Sequence, residues 1–368
     1  MRIVYVLTSL GMGGAERQVL ALATRMTERG HSVALMVLRP KLKQEWPTTL
    51  EVVHLEMRRN FFSVLAGLVR GRRFLSSFKP DVVHSHSFHA NFVARLLKVL
   101  VPAPAVVSTV HNVFEGGRSR MLAYRLTDWL SRLTTAVSTS AAERFVRLKA
   151  VPRHKCVVLT NGIDTAEFCP NAERRGEMRA AMDAREEFVW LTAGRIVPAK
   201  DFPNLLRAFG MVRAVSPEAR LWVAGGAVDD QSNPVKAFVL GGSKGFMDQV
   251  RWLGLRRDMP ALMNAADGFV LASAWEGMPL VVGEAMAMGK PVVATDVGGV
   301  RELVGDAGVI VPAGNSDALA EAMLGLMGKS VEERQKLGSA ARSRIATQFS
   351  IEARVVEWES LYRALPGR

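Results

Sequence analysis

Phe269-Val270-Leu271-Ala272-Ser273, followed after Ala274 by Trp275-Glu276-Gly277-Met278-Pro279-Leu280-Val281-Val282-Gly283-Glu284-Ala285-Met286-Ala287-Met288-Gly289-Lys290-Pro291, decides the fold. The apolar run has the length of a buried strand, and the Ala/Met-rich segment closed by Gly289 and Pro291 reads as a helix. Strand, tight turn and helix make the repeating unit of a wound α/β protein. A helix start aims unpaired N–H groups and a positive dipole end outward, so Gly277 to Leu280 form an anion seat. Glu276 and Glu284 frame it, eight positions apart. That is roughly two helical turns, so both carboxylates are expected toward one side of the helix. Glu276 then reaches a ligand's polar groups and Glu284 the hydroxyls of a diol such as ribose. Taken alone, a dipole-favoured acid and a second acid on a solvated helix face explain the same letters.

Outward from this stretch, the second half continues in the same style. Phe188 to Ala193 is a strand ending in Gly194-Arg195-Ile196-Val197-Pro198-Ala199-Lys200-Asp201, with Pro203 suited to the first turn of the next helix. Arg195 and Lys200 place two cations at a strand end, the pairing that clamps a pyrophosphate. Leu221 to Gly226 and Val250 to Gly254 are strands, and Ala227 to Gln249 between them gives a poor helix signal. Met259 to Ala266 is a short helix. Pro291 to Ala294 is a strand with Thr295-Asp296-Val297-Gly298-Gly299 at its tip, and Gly308 to Val311 is a short strand before the closing helices.

In the first half, Arg2 to Leu7 is a strand, Thr8-Ser9-Leu10-Gly11-Met12-Gly13-Gly14-Ala15-Glu16 a loop, and a helix runs through Met26. With Ser32 to Leu38 this is a βαβ unit, whose ligands lie at the carboxyl ends of its strands. A dinucleotide site wants G-x-G-x-x-G and an acid after the second strand. Glu16 stands in place of the third glycine and Arg39 in place of the acid, so the loop is read as a close-approach surface for substrate or phosphate, or as a plain tight turn. Asp81 to His86 and Ala105 to Val110 are further strands. His84 and His86 are read as leaving their strand on opposite faces, which argues against a shared metal. His111, at a strand end over a cleft, is a candidate to orient a substrate. Ala136 to Ser140 is another strand end, its serines placed to cap the next helix. The boundary between domains is set after Thr160-Asn161-Gly162-Ile163-Asp164.

A chain of 368 residues suits two domains with separate cores. Residues 2–7 lead into glycines without a cleavage pattern and read as a strand rather than a signal peptide. No segment offers the roughly 20 apolar residues of a spanning helix. Cys156 and Cys169 are too few for a disulfide framework or a zinc site and favour a reducing cytoplasm. Residues 1–170 hold 24 Lys and Arg against 11 Asp and Glu, whereas residues 171–368 hold 24 of each, so the whole +13 excess sits in the first half. Such a bias suits a nucleic acid, an anionic membrane or a polyanionic substrate. No zinc-finger, single-strand-binding or helix-turn-helix pattern is present, so a nucleic-acid partner is not expected. Between Arg58-Arg59 and Arg72-Arg73, Phe61, Phe62, Leu65, Leu68 and Val69 share one helical face. This fits a helix lying in an anionic interface, or a core helix with solvated basic ends.

In order along the chain, Gly11-Met12-Gly13-Gly14-Ala15-Glu16, His111, Asn161-Gly162-Ile163-Asp164, Gly194-Arg195 with Lys200, and the E-x7-E from Glu276 to Glu284 resemble the retaining glycosyltransferases of family four, the group 1 transferases of GT-B fold. The resemblance spans nearly the whole chain. It implies an α/β protein of two Rossmann-like domains facing across a cleft: residues 1–165 on the acceptor side and residues 166–349 holding the nucleotide sugar. A C-terminal helix, about residues 350–368 and containing Trp358 and Tyr362, would pack back on the first domain. Carried over residue by residue, Arg195 and Lys200 bind the diphosphate and Glu284 the ribose. Glu276 with the backbone of Gly277, Met278 and Leu280 holds the donor sugar or its phosphate, and Trp252 and Leu253 lie near the base. His111 and the glycine loop, Gly13 and Gly14 included, close on the donor from the other side. His111, Glu276, Arg195 and Lys200 form the implied catalytic set.

Members of that family typically work without a divalent metal, and no D-x-D occurs here, so neither metal nor cofactor is expected beyond the nucleotide-sugar donor. Two details depart from the pattern. Pro279, where many relatives have glycine, lacks an N–H, and Gly225-Gly226-Ala227-Val228 lacks the usual acidic G-x-G. The implied activity is sugar transfer to a lipid-linked or surface-polysaccharide acceptor by a cytoplasmic enzyme, peripheral on the inner membrane face through its basic first domain. A nucleotide-sugar 2-epimerase of the same fold and a non-catalytic glycan- or membrane-binding relative are the alternatives.

Overall fold

Near-continuous apolar strands demand cover on both faces, and parallel sheets flanked by helices provide it. The computed structural model describes residues 1–42, 45–101, 104–226 and 245–365. The chain divides into unit 1, Met1–Gly162 with Ile351–Arg368, and unit 2, Ile163–Ser350. Unit 1 runs β1 (Arg2–Leu7), α1 (Gly14–Glu28), β2 (Ser32–Val37), β3 (Glu51–His54), α2 (Phe61–Phe78), β4 (Val82–His86), α3 (Phe88–Leu100), β5 (Ala105–Val110), α4 (Arg118–Thr127), β6 (Leu133–Ala136), α5 (Thr139–Arg147) and β7 (Cys156–Val158). Unit 2 runs α6 (Ala172–Ala181), β8 (Val189–Ala193), α7 (Phe202–Val215), β9 (Arg220–Ala224), β10 (Val250–Gly254), α8 (Met259–Ala265), β11 (Gly268–Leu271), α9 (Leu280–Ala287), β12 (Val292–Thr295), α10 (Val300–Val304), β13 (Val309–Val311), α11 (Ser316–Met327) and α12 (Val331–Gln348). The last helix, α13 (Ile351–Ala364), returns to unit 1. Of the segment read as a poor helix, residues 227–244 lie outside the described residues, as do Ala227 and Val228 of the departing G-x-G.

Among the described residues, unit 1 contains a seven-stranded sheet of order β3-β2-β1-β4-β5-β6-β7 and unit 2 a six-stranded sheet of order β10-β9-β8-β11-β12-β13. The strand pairings are parallel. In each sheet the chain winds outward in one direction, then jumps back over its first strand and winds in the other. The reversal leaves a crevice at the strands' carboxyl ends, between β1 and β4 in unit 1 and between β8 and β11 in unit 2. Ligand chemistry is to be sought at those two places.

α13 closes the core of unit 1. Ile351, Val355, Trp358 and Tyr362 pack with Ile3, Tyr5 and Leu7 of β1 and with Val19, Leu22 and Met26 of α1. Its anchor is Glu359, which accepts from Arg363 at 2.7 Å, pairs with His31 Nε2 at 3.1 Å and is ion-paired with Arg29. Arg363 first and Arg29 second hold its carboxyl down, to about 2.

α2 decides against one of its two readings, the core helix. The residues it buries are Gly67, Gly71 and Leu75, one turn apart, while Phe61 and Phe62 are 74% and 80% exposed and Leu65 and Val69 are exposed with them. Leu68 leaves that outward set and packs on the unit 1 core. The cause is close approach: a Cβ on Gly67 would lie 2.4 Å from Met57 Cγ, and one on Gly71 3.0 Å from Leu97 Cδ1. Glycine lets the helix sit down on its neighbours, which turns the bulky side chains outward.

Candidate functional site

At the switch point of unit 2 two loops meet. The turn after β8 brings Lys200 to the end of a short 3-10 helix, Pro198–Lys200, and the turn after β11 brings Glu276. Ala274 N–H donates to Ala199 O at 2.9 Å, tying the loops together. Lys200 Nζ then donates to Glu276 Oε1 at 2.6 Å, and Ser273 Oγ donates to the same oxygen at 2.7 Å. Thr295 Oγ1, from the tip of β12, fixes Ser273 through its carbonyl at 2.7 Å. An ammonium has three donors, and the ion pair uses one of them. Glu276 Oε2 carries no hydrogen bond among the described residues, so Oε1 anchors the carboxylate and Oε2 is left for a ligand.

Backbone closes the seat from behind. Gly299 N–H donates to Gly277 O at 2.6 Å. Gly298 has φ +56, and a Cβ there would stand 2.1 Å from Glu276 O, so only glycine fits. The amides at the start of α9 follow Pro279, which supplies no side-chain cap and, as expected from its ring, no N–H. Met278 and Leu280 are buried beside them. Arg195 is exposed one residue beyond Gly194, whose Cβ would meet Lys200 Cε at 2.9 Å.

The two carboxylates differ from their reading. Glu276 lies in the turn, ahead of α9, and Glu284 is the fifth residue of the helix, so no common helical face relates them. They are 8% and 4% exposed, which rules out a solvated face for Glu284. Trp252 and Leu253 are half-buried on the edge strand β10. The indole of Trp252 packs on the unit 2 core, 6.0 Å from the Phe202 ring.

In unit 1, Gly13 is the residue before α1 and Gly14 its first. The loop is not an open phosphate seat: a Cβ on Gly13 would lie 2.3 Å from Glu16 Oε2, because the Glu16 carboxylate folds back over the helix start. An acid already answers the dipole there. His111 follows β5 at the carboxyl edge of the same sheet and is half-buried. Its Nε2 meets His86 Nδ1 at 2.9 Å, and its backbone N–H donates to Glu115 Oε1 at 2.9 Å. Tyr124 OH donates to Glu115 Oε2 at 2.7 Å. Burial lowers His111 to about 4 and raises Glu115 to about 7, the Tyr124 bond opposing the latter. His111 is therefore neutral at pH 7 and meets a ligand as a hydrogen-bonding group, not as a cation.

His84 and His86 point to the same face of β4, with ring centroids 4.0 Å apart. Residues two apart on a strand share a face, so the opposite-face reading is corrected. The ring nitrogens of His84 are engaged by Tyr362 OH and Thr109 Oγ1, each at 2.6 Å. Among the described residues, no group of three or more His, Cys, Asp or Glu side chains is placed to hold a metal. Ser273, Thr295, His86, Glu115 and Tyr124 were not legible as site residues. The available signals were small: a hydroxyl at each of two strand ends, and an acid four places after His111.

A family model described as "Glycosyl transferases group 1" matches residues 187–329, and one described as "Glycosyltransferase Family 4" matches residues 12–167. The chain is 30% identical over 312 residues to the D-inositol 3-phosphate glycosyltransferase of Salinispora arenicola, covering 77% of this chain and 69% of that one. It is 25% identical over 323 residues to the UDP-Gal:alpha-D-GlcNAc-diphosphoundecaprenol alpha-1,3-galactosyltransferase of Escherichia coli, covering 81% and 79%. The crystal structure of Anabaena HepE in complex with UDP and glucose has the same fold, with a TM-score of 0.87 over 99% of this chain and 100% of that one at 21% identity.

Proposed function

The chain belongs to the group 1 glycosyltransferases of family four, and from that premise we propose that it moves a sugar from a nucleotide-diphosphate donor to a lipid-linked or surface-glycan acceptor, retaining the anomeric configuration and using no divalent metal. The observation that carries the proposal is the part-buried Lys200–Glu276 pair at the unit 2 switch point, beside the head of α9. Relatives support the donor and acceptor classes: the Escherichia coli enzyme is named for UDP-Gal and a diphosphoundecaprenol acceptor, and HepE was solved with UDP and glucose.

Breaking a sugar–phosphate bond builds negative charge on the leaving diphosphate and positive charge on the anomeric carbon. The remaining donors of Lys200, the Arg195 guanidinium and the α9 amides of Leu280 and beyond meet the former, in a geometry fixed before reaction. Glu276 Oε2 accepts from a sugar hydroxyl, and the backbone of Gly277 and Met278 lies against the same sugar. Glu284 takes the ribose, with Trp252 and Leu253 toward the base. The departing phosphate oxygen takes the acceptor's proton as the acceptor attacks from the same face, so no carboxylate nucleophile is needed.

Placement on the inner, anionic face of the cell membrane is supported by α2. Its exposed Phe61, Phe62, Leu65 and Val69 stand between exposed Arg58, Arg59, Arg72 and Arg73. A second outward stripe, Leu122, Leu126 and Trp129, is interleaved with Arg118, Arg125 and Arg132 and bears no exposed acid. Apolar residues ringed by cations are the composition that binds such an interface. Among the described residues, no helix is long and apolar enough to cross a membrane.

Donor turnover with and without acceptor tests the activity. Transfer requires the acceptor, whereas a 2-epimerase converts the donor without one and a binding relative leaves it intact. Lys200→Ala and Glu276→Ala are each expected to lower kcat/KM by about 100-fold, the scale of a lost preorganised donor or its anchor. Transfer at wild-type rate in both variants would remove the site from the proposal.

A further inference from the structure

Two neutral imidazoles that share a hydrogen bond must divide one proton between them, and the surroundings of His86 decide how. His86 is 3% exposed, on β4, and burial holds its ring far below the usual histidine range, as it does for His111. Its Nδ1 faces His111 Nε2 at 2.9 Å. Its Nε2 is buried and has no partner among the described residues. Tyr5 packs against the ring at 6.0 Å and His84 at 4.0 Å, the latter closed at both nitrogens by hydroxyls. If His111 donated the shared proton, His86 would carry its own on Nε2, as a buried orphan N–H. If His86 donates, only a lone pair is left there. Orphaned buried N–H groups are the rarer and costlier defect.

We propose that His86 is a positioning residue that sets the tautomer of His111: His86 Nδ1–H donates to His111 Nε2, so His111 carries its proton on Nδ1. Nδ1 has no hydrogen bond among the described residues, and the ring is half-buried at the sheet's carboxyl edge. His111 thus offers one fixed N–H donor to an oxygen acceptor, a sugar hydroxyl or a phosphate oxygen of the nucleotide sugar. The backbone N–H of His111, donating to Glu115 Oε1, holds the main chain while His86 holds the ring. The ligand's identity rests on the glycosyl-transfer reading; the tautomer does not.

Long-range proton–nitrogen correlation on the 15N-labelled full chain at pH 7 reads the tautomer directly, with His111→Gln giving the assignment. The expected result is a pyrrole-type nitrogen at His111 Nδ1 and a pyridine-type nitrogen at Nε2. The reverse pattern in the wild-type chain overturns the proposal, whatever the activity. Kinetics supply the second arm. His86→Phe is expected to lower donor turnover by about tenfold, the worth of one hydrogen bond, and His86→Asn, whose amide N–H stands near the place of Nδ1, to restore most of it. Equal loss in both variants, with the folded spectrum kept, would make His86 merely structural and overturn the positioning role. Adding UDP-glucose or UDP-galactose and watching Nδ1 separates the two failures. A donor that is turned over without shifting Nδ1 overturns the ligand assignment, whereas no turnover of any nucleotide sugar defeats the glycosyl-transfer reading and leaves the tautomer to stand or fall on the wild-type spectrum.

Discussion

Glu115 is a buried acid whose ionisation the fold shifts strongly. Folded, it keeps its proton to about pH 7 because burial raises it; unfolded, it loses it near its ordinary 4.5. The stability it contributes is therefore full below about 4.5 and lost as pH rises through 7. Thermal unfolding of the wild-type chain should fall by several degrees more between pH 5 and pH 8 than that of Glu115→Gln, which keeps an acceptor for the His111 N–H and lacks the proton equilibrium. Parallel pH curves for the two chains would place the proton elsewhere. Single residues were also the scale at which the sequence was least readable. Lys200, Glu276 and Glu284 stand out because charge is uncommon at strand ends and in apolar helices. Ser273 and Thr295 are ordinary letters, and their role comes from two strands adjacent in space and 22 residues apart in sequence. Glu284 drew a solvated alternative because an acid on a helix is normally outside; its burial is set by neighbours that the helix period does not show.

Elements were legible where the period was strong. The alternation of apolar runs and helical segments gave the wound sheets and put the candidate residues at carboxyl ends. The seat of Glu276, however, depends on a backbone approach no periodicity reports, since Gly298 belongs to the loop after β12. Gly298→Ala must move the Glu276 carbonyl or its own strand tip, so transfer should fall by about tenfold or more while the far-UV spectrum stays that of the wild type. Unchanged kcat/KM would mean that the turn relaxes without carrying Glu276 with it. In α2 the helical period held except at Leu68, and the glycine stripe, not the aromatic one, faces inward, which removes the core-helix reading of the aromatic face. Replacing Phe61 and Phe62 by Ser, or Arg58, Arg59, Arg72 and Arg73 by Ser, should each weaken co-sedimentation with vesicles containing anionic phosphatidylglycerol by at least about tenfold. The scale follows from roughly 1 kcal/mol per basic side chain near such a surface and about 1.5–3 kcal/mol per buried Phe. Undiminished sedimentation of both variants would sink the membrane placement.

Across the molecule, α13 belongs to a core assembled from β1, α1 and itself. The Trp358 ring packs tilted against His84 at 4.5 Å, and Tyr362 OH bonds it. Trp358→Ala should cost about 3–5 kcal/mol, seen as a lower urea midpoint for unit 1; a loss below about 1 kcal/mol would show that α13 merely rests on this core. The same feature sets a timetable for synthesis. β1, made first, meets the helix that covers it only after all of residues 163–350 have been made. At about 5–20 residues per second, the ribosome spends on the order of 10–40 seconds on that stretch. Throughout it, the nascent first unit leaves uncovered the part of its core that α13 fills beside α1, and Trp358 and Tyr362, which pack on and bond His84, do not yet exist. Chaperone occupancy on stalled nascent chains should therefore persist past residue 162 and end only once the last helix has cleared the exit tunnel.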